Sequence, residues 1–224
     1  MCFCFCFEFN PTQTKVCATV SRIVTYYTRN LPHWQPDGRD IFITWRLSGS
    51  LPAQFKLPTR GATAGEQFLD YDRMLDTAGA GPMWLKDPRV AHALLAALQK
   101  CQARGIFRLH SYVVMCNHVH VLIEPKAPLA KITRAIKGAT AREANLMLDR
   151  MGQRFWQDES FDHWIRDGAE FERVRQYIEW NPVAAKLAAR PENWRWSSAH
   201  PYVKRLIEQI AGTAQAACGP ATPA

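Results

Sequence analysis

The chain has 224 residues, of which 47% are hydrophobic and 21% charged, a balance typical of a folded protein with a substantial apolar core. No window approaches 18 consecutive apolar residues, so the sequence predicts no membrane-spanning helix. Lys and Arg number 28 against 20 Asp and Glu, which gives a net charge of +8. The length predicts one domain, or one domain with extensions.

The excess positive charge is concentrated in one segment. Residues 88–142 contain nine basic residues and one acidic residue, whereas the rest of the chain contains 19 of each. Such a segment is typical of a surface that faces a polyanion. A solvated face that only resists aggregation would give the same count.

The first thirty residues are weakly specified. Cys2, Cys4 and Cys6 alternate with phenylalanines and would share one face of a strand, but nothing nearby supplies a fourth ligand for a zinc site. The seven cysteines form no disulfide framework, which favours the cytoplasm. We therefore treat 1–30 as an N-terminal extension, 31–202 as the folded domain, and 203–224 as a C-terminal helix and tail.

The first two elements of the domain follow from composition and spacing. Residues 40–47 alternate apolar and polar side chains, which predicts a half-buried strand. Residues 51–81 are rich in Pro, Gly, Ala and Thr, so we expect a surface excursion with one short helix at 66–75.

A helix and a hairpin come next. Asp87 followed by Pro88 is a helix start signal, and Gly105 ends the predicted helix. Two β-rich runs, 106–115 and 118–124, are separated by only two residues, which predicts a tight hairpin.

Two further helices are predicted from apolar spacing, over 129–148 and 169–180, and Pro182 limits the second. The element order is therefore β, α, β, β, α, followed by another helix. This order predicts an α+β ferredoxin-like sandwich, with an antiparallel or mixed sheet and helices on one face.

The most specific local signal is a His-x-His pair. His118 and His120 lie in a predicted strand, where alternate side chains project from one face about 6.5–7 Å apart. Two imidazoles placed in this way can converge on one metal ion, and beside a basic segment this indicates phosphodiester chemistry. Paired surface histidines, or histidines satisfied in a core, would give the same pattern.

A nucleophile is available on the last predicted helix. Tyr177 lies at the edge of the apolar stripe formed by Val174 and Ile178, and Asn181 follows one turn later on the same face. An amide oxygen at that position can complete a metal site beside a tyrosine hydroxyl. The alternative is a structural tyrosine at a core boundary and an asparagine that stops the helix before Pro182.

Five sequence motifs stand in a defined order. They are LPHW at 31–34, DIFITWRL at 40–47, VVMCNHVHVLIEP at 113–125, SFDHWIRD at 160–167 and YIEWNPVAAKLAARPENWRWSSA at 177–199. Together they resemble a REP-associated tyrosine transposase, which belongs to the single-strand HUH transposases. The resemblance covers about residues 31–202, and the order of several motifs makes it more specific than any one of them.

The resemblance implies a metal-dependent enzyme with an HUH endonuclease-like fold. His118 and His120 would be metal ligands, Asn181 a third ligand, and Tyr177 the nucleophile that forms a covalent 5′-phosphotyrosine and leaves a free 3′-hydroxyl. Family members use Mg²⁺ or Mn²⁺, although two imidazoles would also suit zinc. Because the covalent bond conserves the free energy of the phosphodiester, rejoining needs no ATP.

The resemblance also implies a partner, which is single-stranded or hairpin DNA from repetitive palindromes. The helix at 129–148 can follow a phosphate backbone, which gives affinity without sequence reading, and we expect it to lie on the side of the nicking site. The basic residues predicted to contact DNA are Lys131, Arg134, Lys137 and Arg142.

Two other functions stay open. One is a catalytically silent module that binds hairpin DNA or RNA, and the other is a metal-dependent nuclease that uses water. An intact set of His118, His120, Tyr177 and Asn181 favours the transposase. We expect a cytoplasmic protein without a membrane partner and leave open whether it forms a homo-oligomer.

Overall fold

The structure is a computed structural model that describes residues 25–28, 32–35, 38–51, 64–77 and 81–201. The Cys and Phe alternation near the N-terminus and the predicted C-terminal segment 203–224 lie outside these residues. No helix in the described ranges is long and apolar enough to span a bilayer.

Ten helices and strands are described, and two single 3₁₀ turns lie at Trp84–Lys86 and Pro191–Asn193. In chain order they are β1 (Thr25–Thr28), β2 (Pro32–Gln35), β3 (Ile41–Leu47), α1 (Ala64–Thr77), α2 (Pro88–Ala103), β4 (Phe107–Val114), β5 (His118–Pro125), α3 (Leu129–Met147), β6 (Trp156–Trp164) and α4 (Gly168–Ala184).

Four of the strands form one antiparallel sheet in the order β4-β5-β3-β6. The chain order β3-α2-β4-β5-α3-β6 on this sheet is that of a ferredoxin-like sandwich, so the predicted α+β class is confirmed. β1 and β2 pair separately and antiparallel, across the boundary predicted between residues 30 and 31.

Helices cover both faces of the sheet, so the prediction of helices on one face is wrong in this detail. The side chains of β3 alternate: Ile41 and Ile43 pack with α2 and α3, whereas Phe42 packs with α1 and α4. The second face is therefore enclosed by α4 and by α1, the helix of the predicted surface excursion. His118 and His120 lie on this enclosed face.

β6 is a strand that the sequence analysis does not predict. Its sequence, WQDESFDHW, shows no clear alternation, and most of its side chains are only partly buried. Among the described strands it pairs only with β3 and lies at the edge of the sheet. Two side chains of α3 hold its first half: Thr140 accepts from Trp156 Nε1 at 2.9 Å, and Lys137 donates to backbone carbonyls.

The helix boundaries follow the predicted signals with one exception. Asp87 caps α2 by accepting from Arg89 N at 2.9 Å, and Gly105 follows its end with φ +66°. The exception is α4, which continues past Pro182 to Ala184. A proline near the last turn removes only one helical bond, and the Pro182 carbonyl still accepts from Leu187 N at 2.8 Å.

Candidate metal and nucleophile site

The central strands place the two histidines side by side. In β5, His118 pairs with Arg46 of β3 and His120 pairs with Thr44, so both imidazoles stand on the face covered by α1 and α4. Their ring centroids are 4.7 Å apart, and both residues are 0% exposed. The fold therefore brings the two imidazoles together, as predicted.

A third side chain, Asp72 of α1, completes the cluster. Its Oδ1 lies 3.2 Å from His120 Nε2 and 3.5 Å from His118 Nε2, and only 3% of the residue is exposed. One ligand atom from each of the three residues lies within 4.8 Å of the other two. Two imidazoles and a carboxylate are a common donor set for a divalent transition-metal ion.

The three facing atoms are also the ones that lack other partners. Asp72 Oδ1 and the Nε2 atoms of His118 and His120 are buried and make no hydrogen bond of good geometry within the described residues. A buried polar atom without a partner is costly, and here three of them point at one another. A cation bound between them would satisfy all three, so these residues fit a divalent metal ion.

The opposite nitrogen of each imidazole is engaged by a neighbour. Asn117 donates through Nδ2 to the Leu75 carbonyl at 2.9 Å, which leaves its Oδ1 to accept from His118 Nδ1 at 2.7 Å. His118 therefore carries its proton on Nδ1 and presents an Nε2 lone pair to the cluster. His120 Nδ1 lies 2.7 Å from Thr44 Oγ1.

Tyr177 and Asn181 of α4 reach the same carboxylate. The Tyr177 hydroxyl donates to Asp72 Oδ2, and Asn181 Nδ2 donates to that oxygen at 3.0 Å. The Tyr177 ring packs edge-on to His120, with centroids 5.7 Å apart. Asn181 Oδ1 is buried and has no hydrogen-bond partner in the described residues. The structure thus brings together all four residues proposed for the metal and nucleophile roles.

Burial sets the charge state of this site. It lowers the pKa of His118 to about 3, so the imidazole is neutral and free to act as a ligand. Burial and the neighbouring Asp72 raise the pKa of Tyr177 well above its ordinary value, so the phenol stays protonated at neutral pH. Burial opposes ionisation of Asp72 as well, but the imidazoles and the Tyr177 hydroxyl hold the pKa of its carboxyl below the usual range.

A second carboxylate lies at the margin of the cluster. Asp76 is one turn after Asp72 on α1, and its Oδ1 lies 3.9 Å from His118 Nε2 without a hydrogen-bond partner in the described residues. Burial and repulsion from Asp72 raise the pKa of Asp76 to about 8. The site therefore holds a second carboxyl group, whose ionisation is opposed by burial and by the charge of Asp72.

The sequence analysis does not identify either aspartate. The signal that could have found them is the spacing on α1, where Phe68, Asp72, Leu75 and Asp76 fall on one helical face. Aspartates at apolar-stripe positions of a helix indicate a buried functional group rather than a solvated face.

The basic residues predicted to contact DNA lie across the sheet from the histidines. α3 packs through Ile132 and Ile136 on the face that carries Val119 and Val121, not on the face of His118. The expectation that this helix lies on the side of the nicking site is therefore wrong. The reason is the alternation of β5, which sends odd and even residues to opposite layers.

Within α3, the four basic residues are not equivalent. Lys131, Arg134 and Arg142 are exposed and make no ion pair within the described part of the chain. Lys137 instead donates to the Gln157 and Asp158 carbonyls at 2.8 and 3.0 Å. Lys137 is therefore a structural tie to β6.

Two solved structures are similar to the chain at low sequence identity. A solved structure of a REP-associated tyrosine transposase bound to a REP hairpin is 17% identical to the chain, with a TM-score of 0.49, over 80% of this chain and 88% of that one. A proposed transposase from Deinococcus radiodurans R1 is 17% identical with a TM-score of 0.36, over 63% and 89%. No curated protein is significantly similar in sequence.

The family comparison covers the site. Residues 83–181 match the family model described as IS200-like transposase, and this segment contains both histidines, Tyr177 and Asn181, but not Asp72. The predicted resemblance to a transposase is confirmed to this extent: residues 83–181 are similar to IS200-like transposases.

Proposed function

We propose that the protein cuts and rejoins single-stranded or hairpin DNA through a covalent 5′-phosphotyrosine on Tyr177. One observation carries the proposal. The hydroxyl of Tyr177 bonds to the same carboxylate, Asp72, whose other oxygen faces two imidazole nitrogens that lack partners in the described residues. A nucleophile and a cation-binding set in one buried cluster are what phosphoryl transfer requires.

In the proposed step, the Tyr177 oxygen attacks the scissile phosphorus and the bond to the 3′-oxygen breaks. The Tyr177 proton has an acceptor in Asp72 Oδ2, and the leaving 3′-oxygen takes up a proton from solvent. Rejoining is the reverse: a 3′-hydroxyl attacks the phosphotyrosine and releases the phenol. One phosphoester is exchanged for another in each direction, so no nucleotide cofactor is needed.

His118, His120 and Asp72 are the residues that would hold Mg²⁺ or Mn²⁺. Asn181 is the further candidate ligand, through its buried Oδ1, which has no partner in the described residues. Such an ion would polarise the phosphate and offset charge on the attacking and leaving oxygens. Two imidazoles favour Mn²⁺ over Mg²⁺, because Mg²⁺ prefers oxygen ligands. The protein's own part is to hold Tyr177 neutral, partly buried and hydrogen-bonded to the cluster through Asp72.

We propose that the outer surface of helices α2 and α3 binds the phosphate backbone of the DNA away from the scissile phosphate. This surface carries exposed basic side chains that have no ionic partner in the described residues: Lys100, Arg104, Lys131, Arg134 and Arg142. On the histidine face, the cation beside the cluster is Arg46, the cross-strand neighbour of His118. Arg46 is therefore the candidate for a contact to the scissile phosphate.

A silent nucleic-acid-binding module is the second candidate, and the closure of the site favours it. His118 and His120 have no exposed surface, and α1 covers them. A DNA strand reaches the two imidazoles only if α1 moves aside. A protein that never makes this movement would bind DNA through the outer surface of α2 and α3 and leave it uncut.

Labelled hairpin DNA with a single-stranded flank, incubated with protein and Mn²⁺ and run on a denaturing gel, tests the proposal. The expected result is a protein–DNA adduct that is lost in Tyr177→Phe. Tyr112→Phe is the matched control, because Tyr112 is a buried tyrosine on the opposite face of the sheet. Cleavage that persists in Tyr177→Phe would point to water as the nucleophile, and binding without cleavage by the unaltered protein would point to the silent module.

A further inference from the structure

We propose that Asp72 is a positioning residue that ties the nucleophile to the metal ligands, so that one carboxylate both binds the cation and fixes Tyr177 and Asn181. This inference rests on the proposed function and adds to it a residue outside the segment that matches the transposase family.

The two oxygens of Asp72 face different partners. Oδ1 faces the Nε2 atoms of His118 and His120, at 3.5 and 3.2 Å, whereas Oδ2 accepts from Tyr177 and Asn181. A carboxylate has two acceptor oxygens with about four lone-pair sites in all, so it can serve both sets at once. The phenol is thus held at one oxygen of Asp72, and the other oxygen is left facing the two imidazoles.

The contact to Asn181 also decides which atom of its amide is available. With Nδ2 donating to Asp72 at 3.0 Å, the amide plane is fixed and Oδ1 points away from that carboxylate. This oxygen is buried and has no hydrogen-bond partner within the described residues. Asp72 therefore fixes the orientation of the Asn181 amide and leaves its oxygen without a partner among the described residues.

Packing on both sides of Asp72 fixes its position. One turn earlier on α1, Phe68 stacks on Phe161 of β6 with ring centroids 4.4 Å apart and meets Tyr177 edge-on at 5.9 Å. Three residues later, Leu75 is fully buried and its carbonyl accepts from Asn117, the residue that orients His118. Residues on either side of Asp72 therefore contact β6, α4 and the residue before β5, which holds the carboxylate between the imidazoles and Tyr177.

The first test measures metal binding without DNA. Mn²⁺ is titrated into the full chain and free Mn²⁺ is followed by electron paramagnetic resonance. Asp72→Asn is expected to weaken Mn²⁺ binding by about 100-fold or more. Loss of a residue that only supports a metal ligand already weakens metal binding by about 10–100-fold. Asp70→Asn is the control, because Asp70 is an exposed aspartate of the same helix that pairs with Arg73. Equal affinity in Asp72→Asn and the unaltered protein overturns the inference.

The second test separates positioning from ligation. The single-turnover rate of adduct formation is measured at saturating Mn²⁺, where a loss of affinity alone no longer matters. Asp72→Asn is expected to remain at least about 10-fold slower than the unaltered protein, because one amide cannot offer oxygens to both the cation and Tyr177. Full recovery of the rate at saturating Mn²⁺ overturns the positioning role.

Asp72→Glu is a second variant that distinguishes a loss of positioning from a folding defect. It keeps the charge but moves the carboxylate by one methylene, so we expect Mn²⁺ binding to be partly retained while the adduct rate stays low. Both variants are compared with the unaltered protein by thermal unfolding without metal. If the unaltered protein forms no adduct, the proposed function fails. The Mn²⁺ affinity of Asp72→Asn still decides whether Asp72 is a ligand.

Discussion

The Tyr177 hydroxyl donates a hydrogen bond to Asp72 Oδ2, although 105 residues separate the two in the chain. The bond holds the phenol neutral, because burial and the adjacent carboxylate raise the pKa of Tyr177 well above its ordinary value. A neutral phenol is a weak nucleophile. In the proposed reaction, a cation bound at this cluster would offset the charge that develops on the Tyr177 oxygen.

Metal binding is expected to stabilise the fold. If Mn²⁺ binds the native cluster and not the unfolded chain, a concentration 100 times its dissociation constant adds about 2.7 kcal/mol to the free energy of unfolding. For a domain of this size, that corresponds to a rise in Tm of about 5–10 °C. Thermal unfolding with and without Mn²⁺ measures the shift, and EDTA should reverse it.

His118→Ala is the comparison for this experiment. It removes one imidazole from the cluster, so the shift in Tm with Mn²⁺ should fall to near zero. His92→Ala is the control, because His92 is exposed on α2, across the sheet from the cluster. An equal shift in His118→Ala would place the stabilising ion elsewhere.

Asn117 is expected to support the metal site without touching the ion. Its Oδ1 accepts from His118 Nδ1 and its Nδ2 donates to the Leu75 carbonyl, so it fixes the tautomer and the ring orientation. Asn117→Ala should weaken Mn²⁺ binding about 10–100-fold. Isothermal titration with Mn²⁺ measures this change, and an unchanged affinity would mean that the ring is held by packing alone.

The parts of the site that sequence reasoning finds are the local ones. His118 and His120 are two residues apart on a strand, and Tyr177 and Asn181 are one turn apart on a helix, so periodicity alone places each pair on one face. Asp72 is not predicted from the sequence because its role depends on where α1 packs. The composition of the residues around it is typical of a surface segment. Only the tertiary fold brings it within 3.5 Å of both imidazoles.

The same distinction explains two of the differences between the predicted and the observed fold. β6 carries polar residues because it is an edge strand, so its sequence lacks the alternation that marks β3. The basic helix α3 has the predicted span, yet its side of the sheet depends on the crossover that leads to β6. Neither the helix propensity of a segment nor the number of its charged residues determines on which face of the sheet the helix packs.

The exposed basic residues of α3 should affect the affinity for DNA, whereas Arg46 should affect its cleavage. Combined neutralisation of Lys131, Arg134 and Arg142 to Gln is expected to lower the slope of log affinity against log salt by about 2–3, since each phosphate contact contributes about 0.7–0.9. Cleavage of the DNA that remains bound should be unaffected, because these residues lie across the sheet from Tyr177. Filter binding over a range of salt concentrations measures the slope, and an unchanged slope would place the DNA elsewhere.

Arg46→Gln should show the opposite behaviour. Arg46 is the cross-strand neighbour of His118, so its loss should lower the single-turnover rate while the salt slope changes by no more than about 1. A normal rate at saturating Mn²⁺ would remove Arg46 from the phosphate contacts.

Lys137 is expected to affect stability rather than DNA affinity. Its ammonium donates to the carbonyls of Gln157 and Asp158 at the start of β6, and hydrogen bonds to a charged group contribute about 1.5–3 kcal/mol. Lys137→Met keeps the aliphatic length and removes these bonds, so the free energy of unfolding should fall by about that amount. Urea denaturation measures it, and a loss of salt-dependent DNA binding at unchanged stability would contradict the structural role.

Glu170 should make the fold sensitive to acid. It is 1% exposed; burial opposes its ionisation, but His163 and Arg166 hold the pKa of its carboxyl at about 2, against 4.5 for the free group. Because the folded-state pKa is the lower one, this contribution is complete above pH 4.5 and is lost as the pH falls from 4.5 towards 2. The shift is equivalent to about 3 kcal/mol at neutral pH.

Glu170→Gln should therefore lower the free energy of unfolding by about 2–3 kcal/mol at pH 7 and by much less at pH 3, so the two proteins converge in acid. Denaturant unfolding at a series of pH values measures both curves. Glu172→Gln is the matched control, because Glu172 lies on the same helix in an exposed ion pair with Arg175 and should cost no more than about 0.5 kcal/mol. Only an ionised group with a lowered pKa produces a difference in the free energy of unfolding that disappears between pH 4.5 and 2. A constant difference between Glu170→Gln and the unaltered protein across the whole range would therefore show that the charge of Glu170 does not contribute to stability.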